Sequence, residues 1–309
     1  MSPHADGSFR ITARITQPGG YAVAATAVRS EPVPVTVRPL LQARLFGSTT
    51  VGGALQLRAT LHPAGTNRLR VTIVRDGKPA LARTFGPSAI LRLDTSAPAR
   101  LRLRVASLPG PGYAPSTVDL LTLVAQPRLA YGASSTSVAR LTGALAALHY
   151  LVPRSSVFDG RVLDAVYAFQ KVEGLARTGV VDPLFWARLE ATRTPAPRYP
   201  GDHLEIDKTR QVLFVVRAGK VAEISPVSTG GYGRYTPEGR FAIYRKVPGF
   251  DPSPLGTLWD PMYFTGGYAV HGNPSVPPYP ASHGCVRVPM WIAPHLYETN
   301  PYGETVYGY

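Results

Sequence analysis

Cysteine occurs once in 309 residues, which excludes a disulfide within the chain and leaves one thiol to be judged by its neighbours. No run of about 18 apolar residues is present, so no transmembrane helix is expected. The opening stretch, "MSPHADGSFRITARITQPGGYAV", lacks the basic, apolar, small-residue order of an export signal. It alternates like strands and is expected to begin inside a domain. Nothing is depleted enough for wholesale disorder, since 44% of residues are hydrophobic. Glycine (30) and proline (31) are instead plentiful, favouring turns and short strands over long helices. A single core rarely grows to this length, so two or three domains are expected.

Acidic residues are also scarce. Lys and Arg number 33 against 19 Asp and Glu, a formal charge of +14. Residues 1–128 carry 16 basic against 5 acidic side chains, residues 129–200 carry 8 against 5, and residues 201–309 carry 9 against 9. The basic excess lies upstream and would attract polyanions such as nucleic acid, anionic lipid or an acidic wall polymer. A solvated, arginine-rich surface explains it equally well. No motif for reading nucleic acid is present, so that partner is not expected.

The chain reads as multidomain and mainly β. Within residues 39–128, "ALQLRATLH" (Ala54–His62), "LRVTIV" (Leu69–Val74), "AILRLD" (Ala89–Asp94) and "RLRLRVA" (Arg100–Ala106) alternate with period two. Asp76-Gly77 is a hairpin turn signal. About seven short strands at this spacing predict an immunoglobulin-like β-sandwich. Residues 1–38 parallel its second half in strand order and are expected to be the C-terminal half of another such unit.

After a Ser/Gly-rich connector the period turns helical over residues 134–193. Val138, Leu141, Leu145 and Leu148 fall at steps of three and four, with Ser137 or Thr136 as N-cap. Asp159 opens a second helix, and Asp182-Pro183 a third that buries Trp186 and Leu189. Such a three-helix unit is close to the size limit for folding alone. Residues 190–202 are a proline-rich linker, expected to be stiff and extended. Strands return over residues 202–309, "GRFAIYRKV" (Gly239–Val247) among them, separated by the Gly/Pro-rich loops "GGYGRYTPEG" and "PGFDPSPLGTLWDP". Loops of that length usually serve function.

The lone thiol sits in "SHGCVR" (Ser282–Arg287), downstream of "YAVHG" (Tyr268–Gly272). Thiolate is the reactive form of cysteine, and its formation needs a base or cation within reach. Both His283 and His271 are candidates, His271 the better because it ends an apolar strand. Gly284 permits close approach by a substrate carbonyl. The N–H groups of Gly284 and Cys285 could form an oxyanion hole, and Arg287 could hold a carboxylate or lower the thiol pKa. Those roles suit acyl transfer through a thioester. A zinc site built from His271, His283 and Cys285 is the rival, with Asp260 and Glu298 the nearest acids in sequence. A buried thiol beside core histidines is the plainest alternative.

Two resemblances bear on these alternatives. Residues 138–189 resemble the peptidoglycan-binding (PG_binding_1-like) module of cell-wall enzymes, through Leu141, Leu145, Leu148, Tyr150, Asp159-Gly160, "AVYAFQ" (Ala165–Gln170), Gly174-Leu175, Gly179 and Leu189. Residues 202–309 resemble the L,D-transpeptidase family of YkuD type. The matching pieces occur in family order: Leu204–Gly230 ending in "STG", "TPEGRFAI" (Thr236–Ile243), "YAVHG" and "SHGCVRV" (Ser282–Val288).

The second resemblance implies that Cys285 is the nucleophile, attacking the third residue of a peptidoglycan stem tetrapeptide and expelling the terminal D-alanine. His271 would be the general base, oriented by the backbone carbonyl at Gly272, with His283, Gly284 and Arg287 supporting the site. Ser282 would contact substrate; the loop Lys246–Phe264 departs from the family pattern, and its Tyr263, Phe264 and Trp259 are candidate substrate-binding pocket walls. Passing the acyl group to an amine on a second stem would form a 3-3 cross-link. Water as acceptor would make an L,D-carboxypeptidase, and a degenerate site would leave a non-catalytic wall-binding protein. No metal or organic cofactor is implied. The implied partner is peptidoglycan and the implied location the extracytoplasmic cell envelope.

Overall fold

Alternation of buried and exposed side chains along residues 40–124 is what lets two sheets share one interior. The computed structural model describes residues 8, 10–26, 28–64 and 67–309. The chain divides into two compact units, Met1–Gln126 and Pro127–Tyr309.

In the first unit, β1 (Gly19–Tyr21) pairs with β4 (Val33–Val35), and β2 (Ala24–Ala25) with β3 (Val28–Arg29). The half sandwich expected over residues 1–38 falls partly outside the described residues. Seven strands follow: β5 (Leu40–Gly47), β6 (Leu55–His62), β7 (Arg68–Arg75), β8 (Lys78–Phe85), β9 (Ser88–Leu93), β10 (Ala99–Leu108) and β11 (Thr117–Val124). They form a three-stranded sheet, β5-β6-β9, and a four-stranded sheet, β11-β10-β7-β8. The inward residues of both sheets, among them Leu57, Leu69, Leu103 and Val105, form one core. Asp76 and Gly77 join β7 to β8 with φ of 50° and 81°, the double positive φ of a twist-matched hairpin turn.

The second unit begins with three helices. Helix α1 (Thr136–Ala147) is capped by Ser135, whose side chain accepts from Val138 N–H. The cap thus lies one residue before the expected pair, because Ser137 is buried inside the first turn. Asp159 caps α2 (Gly160–Val172) and Asp182 caps α3 (Pro183–Ala191), with Pro183 at its first position. Two sheets follow. The first orders β14 (Lys220–Pro226), β13 (Val212–Arg217), β12 (His203–Asp207), β21 (Thr305–Gly308) and β15 (Gly239–Ala242). The second orders β16 (Arg245–Lys246), β18 (Gly256–Thr265), β19 (Tyr268–Asn273) and β20 (Val286–Pro289), with β17 (Phe250–Ser253) also on β18. Helix α4 (Ala293–Thr299) packs on β18 and β19.

Three features differ from the sequence expectation. The strand expected over Gly239–Val247 breaks at Ile243–Tyr244, where the chain passes from one sheet to the other: Ile243 N–H donates to Glu304 O and Tyr244 N–H to Tyr263 O. "PGFDPSPLGTLWDP", expected as a loop, is mostly the β17–β18 hairpin. The linker is laid against the first sheet, with Arg198 and Tyr199 N–H donating to buried Glu205 and the Tyr199 ring stacked 3.9 Å from Tyr307.

Strand β13 has no polar residue from Val212 to Val216 because both its faces are covered. Leu213 and Val215 enter the core between the two sheets. Val212, Phe214 and Val216, with Val221 and Ile224 of β14, join the core of α1, α2 and α3. The helices and the sheet therefore share one interior. Phe169 lies in it, fully buried, with ring centroids 4.5 Å from Phe185 and 5.6 Å from Tyr150. Truncating it to alanine should cost about 3–5 kcal/mol and lower the melting midpoint of the helices and of β13–β14 together. Hydrogen exchange checks this: strands that stay protected after the helices have opened would show two independent folding units.

Candidate active site

Strands β19 and β20 run parallel, with His271 opposite Arg287 in the register. Parallel neighbours need a crossover of about a dozen residues, and residues 274–285 supply it. Cys285 is the last residue of that crossover, just before β20 begins. The local topology thus brings to one strand pair a histidine and a cysteine that lie 14 residues apart along the chain.

The end of the crossover is held by hydrogen bonds, and Cys285 also packs against Leu258, Tyr263 and Ala269. Ala281 and Ser282 N–H both donate to Thr229 O at 3.0 Å, and Gly231 N–H donates to Ser282 O at 3.0 Å. Arg287 and Ser228 exchange two backbone bonds at 3.0 Å. Thr236 Oγ1 accepts from Gly230 N–H (2.9 Å) and donates to Gly284 O (2.7 Å). The "STG" and "TPEG" segments of the sequence are therefore the fittings onto which the cysteine loop is fastened. Ser282, 4% exposed, accepts from Gly284 N–H (3.0 Å) and donates to Cys285 O (2.5 Å). Gly284 has φ of +123°, and a Cβ there would lie 2.5 Å from Tyr268 Cε1.

A cavity of about 820 Å³ opens over this loop. His271, Cys285, His283 and Arg287 line it, as do Ser282, Tyr263 and Tyr268. The β17–β18 hairpin, from Asp251 to Leu258, forms one wall. His283 is exposed and Arg287 half-buried. Neither Arg245 nor Asp251 was singled out by the sequence, yet both line the cavity. Asp251 accepts from the Tyr263 hydroxyl at 2.6 Å and from Arg245 Nη2 at 3.2 Å, while Arg245 lies 4.7 Å over the Tyr263 ring. Asp251 belongs to the loop that departs from the family pattern and Arg245 directly precedes it; only the pairing of β16 and β17 with β18 brings them to the site.

Phe264 lies on the opposite face of β18 from Tyr263. It is 3% exposed, packs against Phe241 at 5.6 Å and is part of the core between the sheets. Trp259 packs on the same core and against the Phe250 ring. Neither lines the cavity. Gly272 is required by close packing, since a Cβ there would lie 2.7 Å from Trp259 Cδ1 and 2.8 Å from Ala293 Cβ. Its carbonyl accepts from His271 Nδ1 at 2.9 Å, which leaves Nε2 as the lone-pair nitrogen of a neutral ring.

Burial dominates the electrostatics. It lowers the His271 pKa to about 4, with the Gly272 hydrogen bond opposing and the Arg287 charge adding to the fall. It raises the Cys285 thiol, against a backbone hydrogen bond from Ala269 and the Arg287 charge. Burial and the bond to Asp251 push Tyr263 up to about 12. At neutral pH the cavity thus holds a neutral imidazole and a protonated thiol, whose Sγ lies 3.7 Å from Gly267 O. The Gly284 N–H is committed to Ser282 Oγ. Among the described residues, no three His, Cys, Asp or Glu side chains are grouped to hold a metal ion.

Two family models match the chain: the YkuD L,D-transpeptidase catalytic domain over residues 201–307, and the peptidoglycan binding domain over residues 134–189. The chain is similar to the crystal structure of an L,D-transpeptidase from Xylanimonas cellulosilytica, with 38% identity and a TM-score of 0.57 over 59% of this chain and 97% of that one. It is also similar to an L,D-transpeptidase from Stackebrandtia nassauensis, with 25% identity and a TM-score of 0.38 over 59% of this chain and 94% of that one. No curated protein matches it. The chain belongs to the L,D-transpeptidase family, its catalytic domain preceded by a peptidoglycan-binding domain.

Two tests follow from the geometry. His271 gains a proton near pH 6.5 when unfolded but only near pH 4 when folded. Between those values the unfolded chain binds the extra proton, so stability falls as pH falls. The loss should reach about 3 kcal/mol and be missing from His271→Gln; matched melting curves of the two proteins from pH 7 to pH 4 check it. Gly284→Ala forces a side chain into a disfavoured φ against the Tyr268 ring and should cost about 1–3 kcal/mol, while changing the rate at which iodoacetamide alkylates Cys285.

Proposed function

We propose that the protein is a cysteine-dependent L,D-transpeptidase acting on peptidoglycan stem tetrapeptides in the cell envelope. The observation that carries this reading is the His271 ring: Nδ1 is spent on the Gly272 carbonyl, so the lone-pair nitrogen belongs to a side chain that shares one cavity with the only thiol. Fixing the tautomer of a base through its second nitrogen is how a histidine is made ready to accept a proton.

The thiol is protonated at rest, so proton removal accompanies attack. Sγ of Cys285 bonds to the carbonyl carbon of the third stem residue while its proton passes to His271 Nε2. The carbonyl oxygen takes up negative charge, which the Cys285 N–H stabilises. The bond to the terminal D-alanine then breaks, its nitrogen taking the proton from His271, and a thioester remains. An amine on a second stem loses a proton to His271, attacks the thioester and releases the thiolate, which recovers that proton. The product is a 3-3 cross-link. Arg287 is a fixed cation for a stem carboxylate, and His283 and Tyr263 frame the entry. The peptidoglycan-binding domain supports wall peptide as the substrate.

Incubation with a defined tetrapeptide stem, followed by mass analysis, tests the reading. Dimer lighter than two stems by one D-alanine is the expected product; tripeptide alone would make the enzyme an L,D-carboxypeptidase. Cys285→Ala should retain the fold and lose all turnover, and a carbapenem should add its mass to the wild-type protein at Cys285. Cross-linking by the alanine variant would overturn the thioester route.

A further inference from the structure

Two basic side chains of the helical module end on backbone carbonyls of the catalytic part. Lys171 of α2, 2% exposed, donates from Nζ to Val227 O at 2.9 Å. Arg177, in the turn after α2, donates from Nη1 to Pro278 O at 2.6 Å and from Nη2 to Thr209 O (3.3 Å) and Arg210 O (3.2 Å). Among the described residues neither forms a salt bridge. Withdrawing a cation from water for carbonyl partners is costly, so the surrounding fold must hold these side chains there.

Each carbonyl they reach lies within two residues of the apparatus that fastens the cysteine loop. Val227 precedes Ser228, the backbone partner of Arg287. Thr209 and Arg210 precede Gln211, whose side chain donates to Thr229 Oγ1 (2.6 Å) and accepts from Thr229 N–H (2.9 Å). Thr229 O in turn holds Ala281 and Ser282. Pro278 precedes Tyr279, whose carbonyl accepts from Ser228 Oγ at 2.8 Å. The crossover itself has Pro274, Pro277, Pro278 and Pro280. Proline has no N–H to donate, so this loop is poor in donors for tying itself down and takes them from outside.

We infer that the helical module braces the catalytic loop, with Arg177 a positioning residue that pins the proline-rich crossover to the Thr209–Arg210 turn and so fixes the approach to Cys285. This rests on Cys285 as the nucleophile. The module acts from behind the site and touches no reacting atom. A misplacement of about 1 Å can cost up to a hundredfold in rate, so the effect belongs in the acylation step and not in stem binding.

The test compares wild type with Arg177→Ala and Arg177→Gln by three readings: the iodoacetamide alkylation rate of Cys285, hydrogen exchange of residues 273–285, and kcat and KM on a tetrapeptide stem. In both variants, faster exchange confined to that segment, an altered alkylation rate and a kcat lower by about tenfold or more, with KM within twofold, are expected. A merely structural role would instead raise exchange across α2 and β14 and lower the melting midpoint. Should the alanine variant fail to fold, the glutamine variant, which cannot span all three carbonyls, decides by the same readings. Exchange and alkylation at wild-type values in a folded variant would overturn the brace. Those two readings need no wall substrate, so they stand even if stems prove not to be turned over. A wild type active on stems with Arg177 variants unaffected would sink the brace alone.

Discussion

The parallel pairing of β19 with β20 is the constraint from which the site follows. It sets His271 opposite Arg287 and obliges the chain to leave one strand and return to the same end of its neighbour. The cysteine arrives at the close of that return, beside the histidine's strand. A hairpin between the same strands would have reversed the second one and sent the thiol to the other end of the sheet. Everything else at the site, from the threonine fittings to the positive φ of Gly284, holds this return path in place.

The site is dry enough that charge is expensive. His271 is 6% exposed, and burial disfavours both imidazolium and thiolate. A pre-formed ion pair is therefore not the resting state. The Arg287 charge favours the thiolate and disfavours the imidazolium, so it helps the sulfur to ionise and keeps the base unprotonated.

The chemistry was far more legible in the sequence than its setting. The block from Ser282 to Arg287 and the strand that carries His271 stood out in the sequence, and the fold brings residues of both to one cavity. Helix caps at Asp159 and Asp182 were readable because capping is local. Asp251 and Arg245 were not, since no periodicity marks a hairpin interrupted by prolines and by a bulge in its partner strand. Tyr263 and Phe264 show the limit from another side: strand alternation sends adjacent residues to opposite faces, but only the fold says which face meets the cavity. The unbroken run Val212–Val216 held a signal that the sequence reading did not use: a strand without polar positions must be covered on both sides. What covers it lies far away in sequence, in helices that read like a self-sufficient domain.

That shared interior bears on how such proteins are assembled from parts. Cut between the helices and the sheet, the chain would expose Val212, Phe214, Val216, Val221 and Ile224 together, a greasy patch of the kind that drives clumping. A gene fragment encoding the catalytic segment alone would thus yield a sticky product.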